Sequence, residues 1–504
     1  MKLLNAQQIK DLEAFTIERQ NISSSELMNR AASKCFNWIV KNIGLNHAFT
    51  IICGPGNNGG DGLVIAQLLK ENHCNVECIL LDFTDKKASD FDLNLKKLQK
   101  ADCEIHSIQS ESELENLKFN GKIVIDAIFG IGLSRPTEGI TAAIIKQINK
   151  SKPERVIAID LPSGLYCDEL NSKVDQIIQA DYTLTFHIPK LSFFFPEGGN
   201  SVGKVIVLAI RLDKLFASKS KSKYYFITPL KVGAFLEKRK TFSHKGTYGH
   251  ANIIAGSRGK IGAAILASNS ASFSGVGLVT ATVPSIGLNA MQTSVPVAMC
   301  DDSYGTDYLK GEIEINNKHT YGIGPGIGKT EETVQFLRYF LKQANKPIVI
   351  DADALNCIAV NREMLNDIPE HSILTPHIKE FERLAGETQN SLERLKRLVE
   401  FCEINKVYIV LKDARTIICS PQGKCYFSLN GSPGMATGGS GDVLTGILTG
   451  LLAQGFSPEE TTRFGVVLHG LSGELAAKKH SEYAMTAESI LNEIGEGFKL
   501  LLRD

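Results

Sequence analysis

Two α/β domains in series are the fold this sequence predicts, on three observations. The 504 residues are too many for one ordinary hydrophobic core. Short runs rich in Val and Ile alternate with helical stretches, and they do so twice along the chain. Between the two series lies "LDKLFASKSKSKYYF", a polar lysine- and serine-rich segment suited to a linker. The predicted organisation is therefore a domain over 1–211, a linker over 212–224 and a domain over 225–504.

The elements follow in order. Residues 1–30 read as two short helices, with Ser23-Ser24-Ser25 supplying a cap before "ELMNRAASKCFNWIV". The runs "FTIICG", "NVECILLD", "KIVIDAIFG", "RVIAIDLPSG", "DYTLTFHIPK" and "GKVIVLAI" then read as strands. They lack strict alternation, as expected of strands covered on both faces of a parallel sheet. After the linker the rhythm resumes with "HANIIAGS", "GLVTATVP", "TYGIGPG", "KPIVIDADAL", "HSILTPH", "VYIVLKD", "RTIICSP" and "KCYFSLN", and the last stretch is mostly helical. Open parallel sheets bind ligands at the carboxyl ends of their strands, so each domain is searched there.

Composition narrows the function. Lys+Arg and Asp+Glu both number 55, which gives no electrostatic pull toward nucleic acid or an anionic membrane. Neither a signal-peptide core nor an 18-residue apolar span is present, and the eleven cysteines are scattered without metal spacing. Reduced, buried thiols in a cytoplasmic protein are expected.

"GPGNNGGDG" follows the first strand, and Gly54, Gly56 and Gly59 satisfy the dinucleotide fingerprint G-x-G-x-x-G. The fingerprint also wants an acid about 20 residues on; Asp82 lies 28 residues beyond Gly54. Asn57, Asn58 and Asp61 fill the loop with side-chain oxygens, which suit sugar hydroxyls or a hard cation better than a plain phosphate cradle. Later strand ends repeat the acid: Asp126 in "VIDAIFGIGLSRP" and Asp160 in "AIDLPSGL", while "TFHIPK" adds Lys190. A buried aspartate is costly without a partner, so Asp126 and Asp160 ending separate strands, with Asn58 and Asp61 on the first loop, predict a convergent acidic cleft.

These motifs, with the Pro196-Glu197-Gly198 turn, resemble the amino-terminal YjeF domain, which has a Rossmann-like fold and NAD(P)HX epimerase activity. The resemblance implies a substrate site of Asn57, Asn58, Gly59, Gly60, Asp61, Gly130, Ile131, Gly132, Leu133, Ser134, Arg135, Pro136 and Asp160. It implies a potassium ion held by Asn58, Asp126 and Ser163. Asp160 is the favoured acid/base candidate.

In the second half "YGIGPGIGKTEE" imitates a phosphate loop, but the Walker pattern requires glycine at position 323 and the chain has Ile323. "GSPGMATGGSGDVLTGILTG" is more informative. Gly438, Gly439 and Gly441 precede a long apolar helix with Asp442 in its first turn. Free amides at a helix start form an anion hole, and a carboxylate beside it can take a hydroxyl proton as phosphoryl transfer begins.

G-x-G-D in this setting resembles the ribokinase-like superfamily. "HKGTYGHANIIAGS", "GIGPGIG", "VIDADALN", "ILTPHIKEF" and "LKDARTII" narrow the resemblance to the carboxy-terminal YjeF domain, an ADP- or ATP-dependent NAD(P)HX dehydratase. The fold implied is a Rossmann-like α/β/α sandwich followed by a ribokinase-like one. The resemblance implies that Gly326, His377 and Asp442 meet the hydrated nicotinamide. It assigns the nucleotide to Lys412, Asp413, Ala414, Arg415, Thr416, Ser432, Pro433, Gly434, Met435, Ala436, Thr437, Gly438, Gly439, Ser440 and Gly441. Ile378-Lys379 replaces the family's usual Pro-Gly after the histidine. The function expected is epimerisation of R- and S-NAD(P)HX and dehydration of the S form at the expense of ADP, with Mg²⁺ accompanying the nucleotide, in a homo-oligomer. The alternative is a ribokinase-like kinase for a vitamin precursor, carrying a non-catalytic binding domain at its amino terminus.

Overall fold

The computed structural model describes residues 1–502 of the chain. It divides into two compact units, Met1–Ser222 and Lys223–Asp504. The division falls inside the lysine- and serine-rich stretch, of which Lys214–Lys219 are helical.

The first unit opens with the helices Ala6–Gln20 and Ser24–Asn42, both closed by capping boxes, the second on Ser23 as its spacing suggests. Seven strands follow: β1 (Ala48–Cys53), β2 (Asn75–Leu81), β3 (Glu104–Ile108), β4 (Ile123–Ala127), β5 (Arg155–Ile159), β6 (Tyr182–Phe186) and β7 (Lys204–Leu208). Their order is β3-β2-β1-β4-β5-β6-β7, and every pairing is parallel. The chain winds outward from β1 in one direction and then from β4 in the other. The crevice between the carboxyl ends of β1 and β4 is thus the topological switch point, where such sheets take ligands.

The glycines after β1 are there for close approach. A Cβ on Gly54 would stand 2.1 Å from the Ile128 carbonyl oxygen, and one on Gly59 would stand 1.8 Å from that of Gly54. The helix Asn57–Glu71 therefore starts hard against the sheet, and its first turn, Asn58 to Asp61, is buried in the crevice.

The second unit holds ten strands: β8 (Tyr224–Phe226), β9 (His250–Ile254), β10 (Leu278–Thr282), β11 (Met299–Asp301), β12 (Thr320–Ile323), β13 (Val349–Ile350), β14 (Ile373–Leu374), β15 (Tyr408–Leu411), β16 (Ile417–Cys419) and β17 (Cys425–Phe427). Their order is β11-β10-β9-β12-β13-β14-β15-β16-β17-β8, parallel through β15, with β16 antiparallel to both neighbours. The helix Ser440–Ala453 is apolar on nearly every side and lies in the core. Its Gly446 and Gly450 let it sit against the helix Ile261–Phe273: a Cβ on Gly446 would fall 2.0 Å from the Ala267 carbonyl oxygen. That packing fixes where the helix amino terminus points, which is at the strand ends.

Candidate functional site

Each unit gathers its chemistry-bearing side chains at the carboxyl ends of its parallel strands. In the first, Asp126 ends β4 fully buried. Its Oδ1 accepts from the Ser163 hydroxyl at 2.6 Å, and its Oδ2 accepts from the Ser163 amide at 2.7 Å. Burial pushes its carboxyl up to about 6 in spite of these bonds. Asn58 donates from Nδ2 to the Phe129 carbonyl at 2.8 Å, and its buried Oδ1 has no partner among the described residues. Phe129 links the three residues: its carbonyl accepts from Asn58 and its amide donates to Ser163 Oγ, so an orphaned amide oxygen, a buried carboxylate and a serine form an all-oxygen donor set of the kind that suits a hard cation. Asn58, Asp126 and Ser163 are thus brought together.

Asp160 follows β5 with φ of 62°, a left-handed conformation that aspartate tolerates better than most residues. The bend turns its carboxylate toward β6. There Oδ1 accepts from the Thr185 hydroxyl at 3.1 Å, the Phe186 amide at 3.0 Å and the Lys190 ammonium. Lys190 is 1% exposed, and its ammonium also bonds Thr185 Oγ1 at 2.9 Å. Asp160 is consequently the acceptor in a buried ion pair with Lys190, braced by Thr185 and the Phe186 amide. Asp61, on the first turn of Asn57–Glu71, is buried with no such pairing. Desolvation, then the charges of Asp160 and Glu13, drive its carboxyl far above the ordinary range.

Glu13 belongs to no motif. It lies on the helix Ala6–Gln20 and stands near Asp160, Lys190 and Lys10. Burial and then the Asp160 charge raise its carboxyl to about 7. Gly130 abuts Asn58, where an added Cβ would lie 3.4 Å from that of the asparagine. The rest of the loop, Ile131, Gly132, Leu133, Ser134, Arg135 and Pro136, forms the more open rim with Asn57.

In the second unit Asp442 occupies the first turn of Ser440–Ala453. Gly439 precedes it with φ of 90°, and no side chain caps the helix, so its first-turn amides face the site. Asp351, directly after β13 and 1% exposed, accepts from Lys412 Nζ at 2.7 Å and from the Thr445 hydroxyl at 2.7 Å. Lys412 Nζ lies 3.2 Å from where a Gly441 Cβ would be, so the ion pair borders the helix start. Burial first, then the Asp351 charge, raise Asp442 to about 7, while Lys412 opposes the shift.

His377 caps the helix Ile378–Ala385, accepting from the Glu380 amide on Nδ1 at 3.3 Å while Glu380 Oε2 accepts from the His377 amide at 2.9 Å. The capping box forms with Ile378-Lys379 in place, and the ring keeps 48% of its surface open. The chain at His377 also bridges Lys412, bringing those two residues side by side. Gly326, with φ of 65°, follows β12, and its carbonyl accepts from Ser257 Oγ at 2.7 Å. Nearby, Asp353 receives both Lys260 Nζ and the Gly328 amide at 3.0 Å.

The predicted nucleotide stretches differ in placement. Lys412 faces Asp351, Arg415 donates to the Leu429 carbonyl at 2.7 Å, and Ser432 donates to Glu482 at 2.9 Å. Sequence reasoning passed over Asp351, although it ends an apolar run as Asp126 and Asp160 do. It also missed His469, whose Nε2 stands 3.4 Å from the Ser440 hydroxyl and whose ring burial keeps it neutral, with the pKa lowered to about 4.

Comparisons with known proteins follow the same division. The family described as YjeF-related protein N-terminus matches residues 24–192, and that described as NAD(P)H-hydrate dehydratase matches residues 251–496. The bifunctional NAD(P)H-hydrate repair enzyme Nnr of Thermofilum pendens is 33% identical, the alignment covering 100% of this chain and 97% of that protein. Its counterpart in Moorella thermoacetica is 34% identical over 98% of this chain and 96% of that protein. The crystallised ADP/ATP-dependent NAD(P)H-hydrate dehydratase from Bacillus subtilis is 31% identical, covering 55% of this chain and 98% of that one with a TM-score of 0.49. With both halves matched in order and relatives aligned end to end, the chain belongs to the family of bifunctional NAD(P)H-hydrate repair enzymes.

Proposed function

We propose that the chain returns both epimers of hydrated NADH and NADPH to the usable coenzymes, the first unit interconverting R- and S-NAD(P)HX and the second dehydrating the S form. The observation that carries the second activity is Asp442, a carboxyl poised at about 7 beside an uncapped helix start. A base with that pKa is ionised for a large part of the time at neutral pH and still accepts a proton readily.

The hydroxyl on C6 of the reduced ring gives its proton to Asp442 while its oxygen attacks the terminal phosphoryl of ADP, releasing AMP. The first-turn amides of Ser440–Ala453, with Lys412 beside them, stabilise the charge on the phosphoryl oxygens. The C6–O bond then breaks with the electron pair leaving on phosphate. The ring nitrogen supplies electrons, and loss of a C5 proton to the departing phosphate restores the dihydronicotinamide. Gly326 and the open face of His377 line the nicotinamide side. The stretches from Lys412 to Thr416 and from Ser432 to Gly441 line the nucleotide side. Mg²⁺ entering with ADP would spread the phosphate charge.

In the first unit the substrate occupies the crevice between Asn57–Asp61 and Gly130–Pro136, with Asp160 at its floor. Asn58, Asp126 and Ser163 are the residues that would hold K⁺. When bound, the ion would supply a counter-charge to the Asp126 carboxylate, which burial otherwise disfavours.

The test is a mixed-epimer NADHX preparation given ADP, ATP or no nucleotide, followed by the near-ultraviolet absorbance of NADH. Complete conversion with nucleotide is expected, and Asp442→Asn should abolish it while nucleotide binding persists. Turnover undiminished in Asp442→Asn would overturn the mechanism. Accumulation of a stable phosphorylated product in place of NADH and free phosphate would favour the kinase reading.

A further inference from the structure

The loop after β12 carries Gly326, yet little in its own sequence holds it in place. Gly324, Gly326 and Gly328 have φ of 128°, 65° and 81°, so every second residue is a glycine in the left-handed region. Such a segment gains almost no rigidity from its own backbone. Side chains from the two neighbouring strand ends grip it instead. Ser257, after β9 and 1% exposed, donates from Oγ to the Gly326 carbonyl at 2.7 Å. Beside it the Gly256 amide donates to the Pro325 carbonyl at 2.8 Å. From the other flank, after β13, Asp353 Oδ2 accepts from the Gly328 amide at 3.0 Å. Lys260 Nζ lies 3.0 Å from the same oxygen and supplies its counter-charge.

The backbone before Asp353 is itself unusual. Ala352 has φ of 49°, a left-handed conformation that alanine seldom takes. It separates two aspartates with different partners. Asp351 bonds Lys412 and Thr445 on the nucleotide side, whereas Asp353 bonds Lys260 and Gly328 beside Gly326. Backbone outliers of this kind persist where surrounding contacts over-determine them, and they cluster at functional sites.

We propose that Ser257 and Asp353 are positioning residues of the dehydratase site, clamping residues 324–328 so that Gly326 presents its backbone to the hydrated nicotinamide. This rests on the placement of Gly326 on the nicotinamide side. Neither residue carries a proton in the reaction. A clamp of this kind supports substrate equally before and during the reaction, so its loss falls on KM more than on kcat. ADP is held by the stretches 412–416 and 432–441, away from the clamp, and keeps its KM.

The test is the initial rate of NADH formation from S-NADHX by the full chain, with KM measured for each substrate. It is run at about pH 8, where Asp442, with its pKa of about 7, is mostly ionised. Asp353→Ala and Ser257→Ala are each expected to raise the KM for S-NADHX about tenfold, with kcat within about threefold and the KM for ADP unchanged. Asp353→Asn keeps an oxygen that can accept from the Gly328 amide, so it should recover most of the loss. Thermal melting reports folding. Ser257→Ala removes one oxygen from a small side chain, and it decides the matter where Asp353→Ala fails to fold. An unchanged KM for S-NADHX in either folded alanine variant would overturn the proposal. So would an equal rise in both KM values, or an Asp353→Asn no better than a folded Asp353→Ala. A rise confined to the KM for ADP would overturn the placement of Gly326 on the nicotinamide side, and the clamp's role with it. Absence of ADP-dependent NADH formation in the unsubstituted protein would instead overturn the dehydratase reading.

Discussion

Asp351→Asn is the most informative perturbation of the dehydratase site, because it removes one charge and almost no volume. Asp351 is 1% exposed and bonded to Lys412 and Thr445, each at 2.7 Å. Its negative charge is the second cause, after burial, of the rise of Asp442 from 3.8 to about 7. Neutralising it withdraws that repulsion and leaves the Lys412 charge uncompensated, so both changes favour ionised Asp442. The sign is therefore fixed: the pKa of Asp442 falls. Burial remains the larger cause, so a drop of about one unit is expected, equal to ~1.4 kcal/mol. Asp442 acts as a base and must be ionised, so turnover of S-NADHX in the unsubstituted protein should decline as pH falls through about 7. In Asp351→Asn that decline should begin about one unit lower, while the plateau rate at higher pH drops because the base is weaker. The assay is kcat against pH under saturating ADP, with nucleotide binding measured separately. An unchanged midpoint, or one that moves upward, in a folded variant that binds ADP would refute this electrostatic account of the site.

Three further outcomes test the first unit. Asn58→Ala removes the orphaned Oδ1, and it should weaken K⁺ activation of epimerisation at least tenfold in a potassium titration, leaving dehydration intact. In the unsubstituted protein K⁺ should raise the melting temperature of the first unit more at pH 7.5 than at pH 5. Asp126 ionises at about 6, and only the anion gains a counter-charge. Gly54→Ala places a Cβ 2.1 Å from the Ile128 carbonyl oxygen, and it should destabilise the first unit by about 3 kcal/mol or more. A melting curve indistinguishable from that of the unsubstituted protein would contradict the close approach at the switch point.

The parts legible in the sequence were those in which chemistry sits beside a chain feature. Asp126 and Asp160 follow apolar runs, and the glycines and asparagines after β1 announce a crevice. Gly439 and Asp442 bracket the start of an apolar helix. Asp351 carries the same signature as Asp160 and could have been found by applying one rule to both halves. Glu13 could not. It lies on an ordinary amphipathic helix 147 residues before Asp160, and only tertiary packing brings the two together. The meeting of Lys190 with Asp160 likewise depends on a left-handed aspartate, a backbone choice that composition does not encode. His377 showed its place but not its second duty as a helix cap, because capping depends on where the helix begins.

The edge strand β8 bears on how the second activity can be separated from the first. Its pairing with β17 covers that strand's outer edge, and its own Phe226 is buried, as are Ile227 and Val232 after it. The region matched to the dehydratase family begins only at residue 251. A fragment cut there would lose this strand and the apolar residues that follow it, opening a hydrogen-bonding edge of the kind that recruits other chains. A soluble, independently folding dehydratase fragment must therefore start before Tyr224. The first residues after the lysine-serine stretch are part of the second unit's sheet, so the useful cut lies upstream of the catalytic motifs by the length of a strand and a helix.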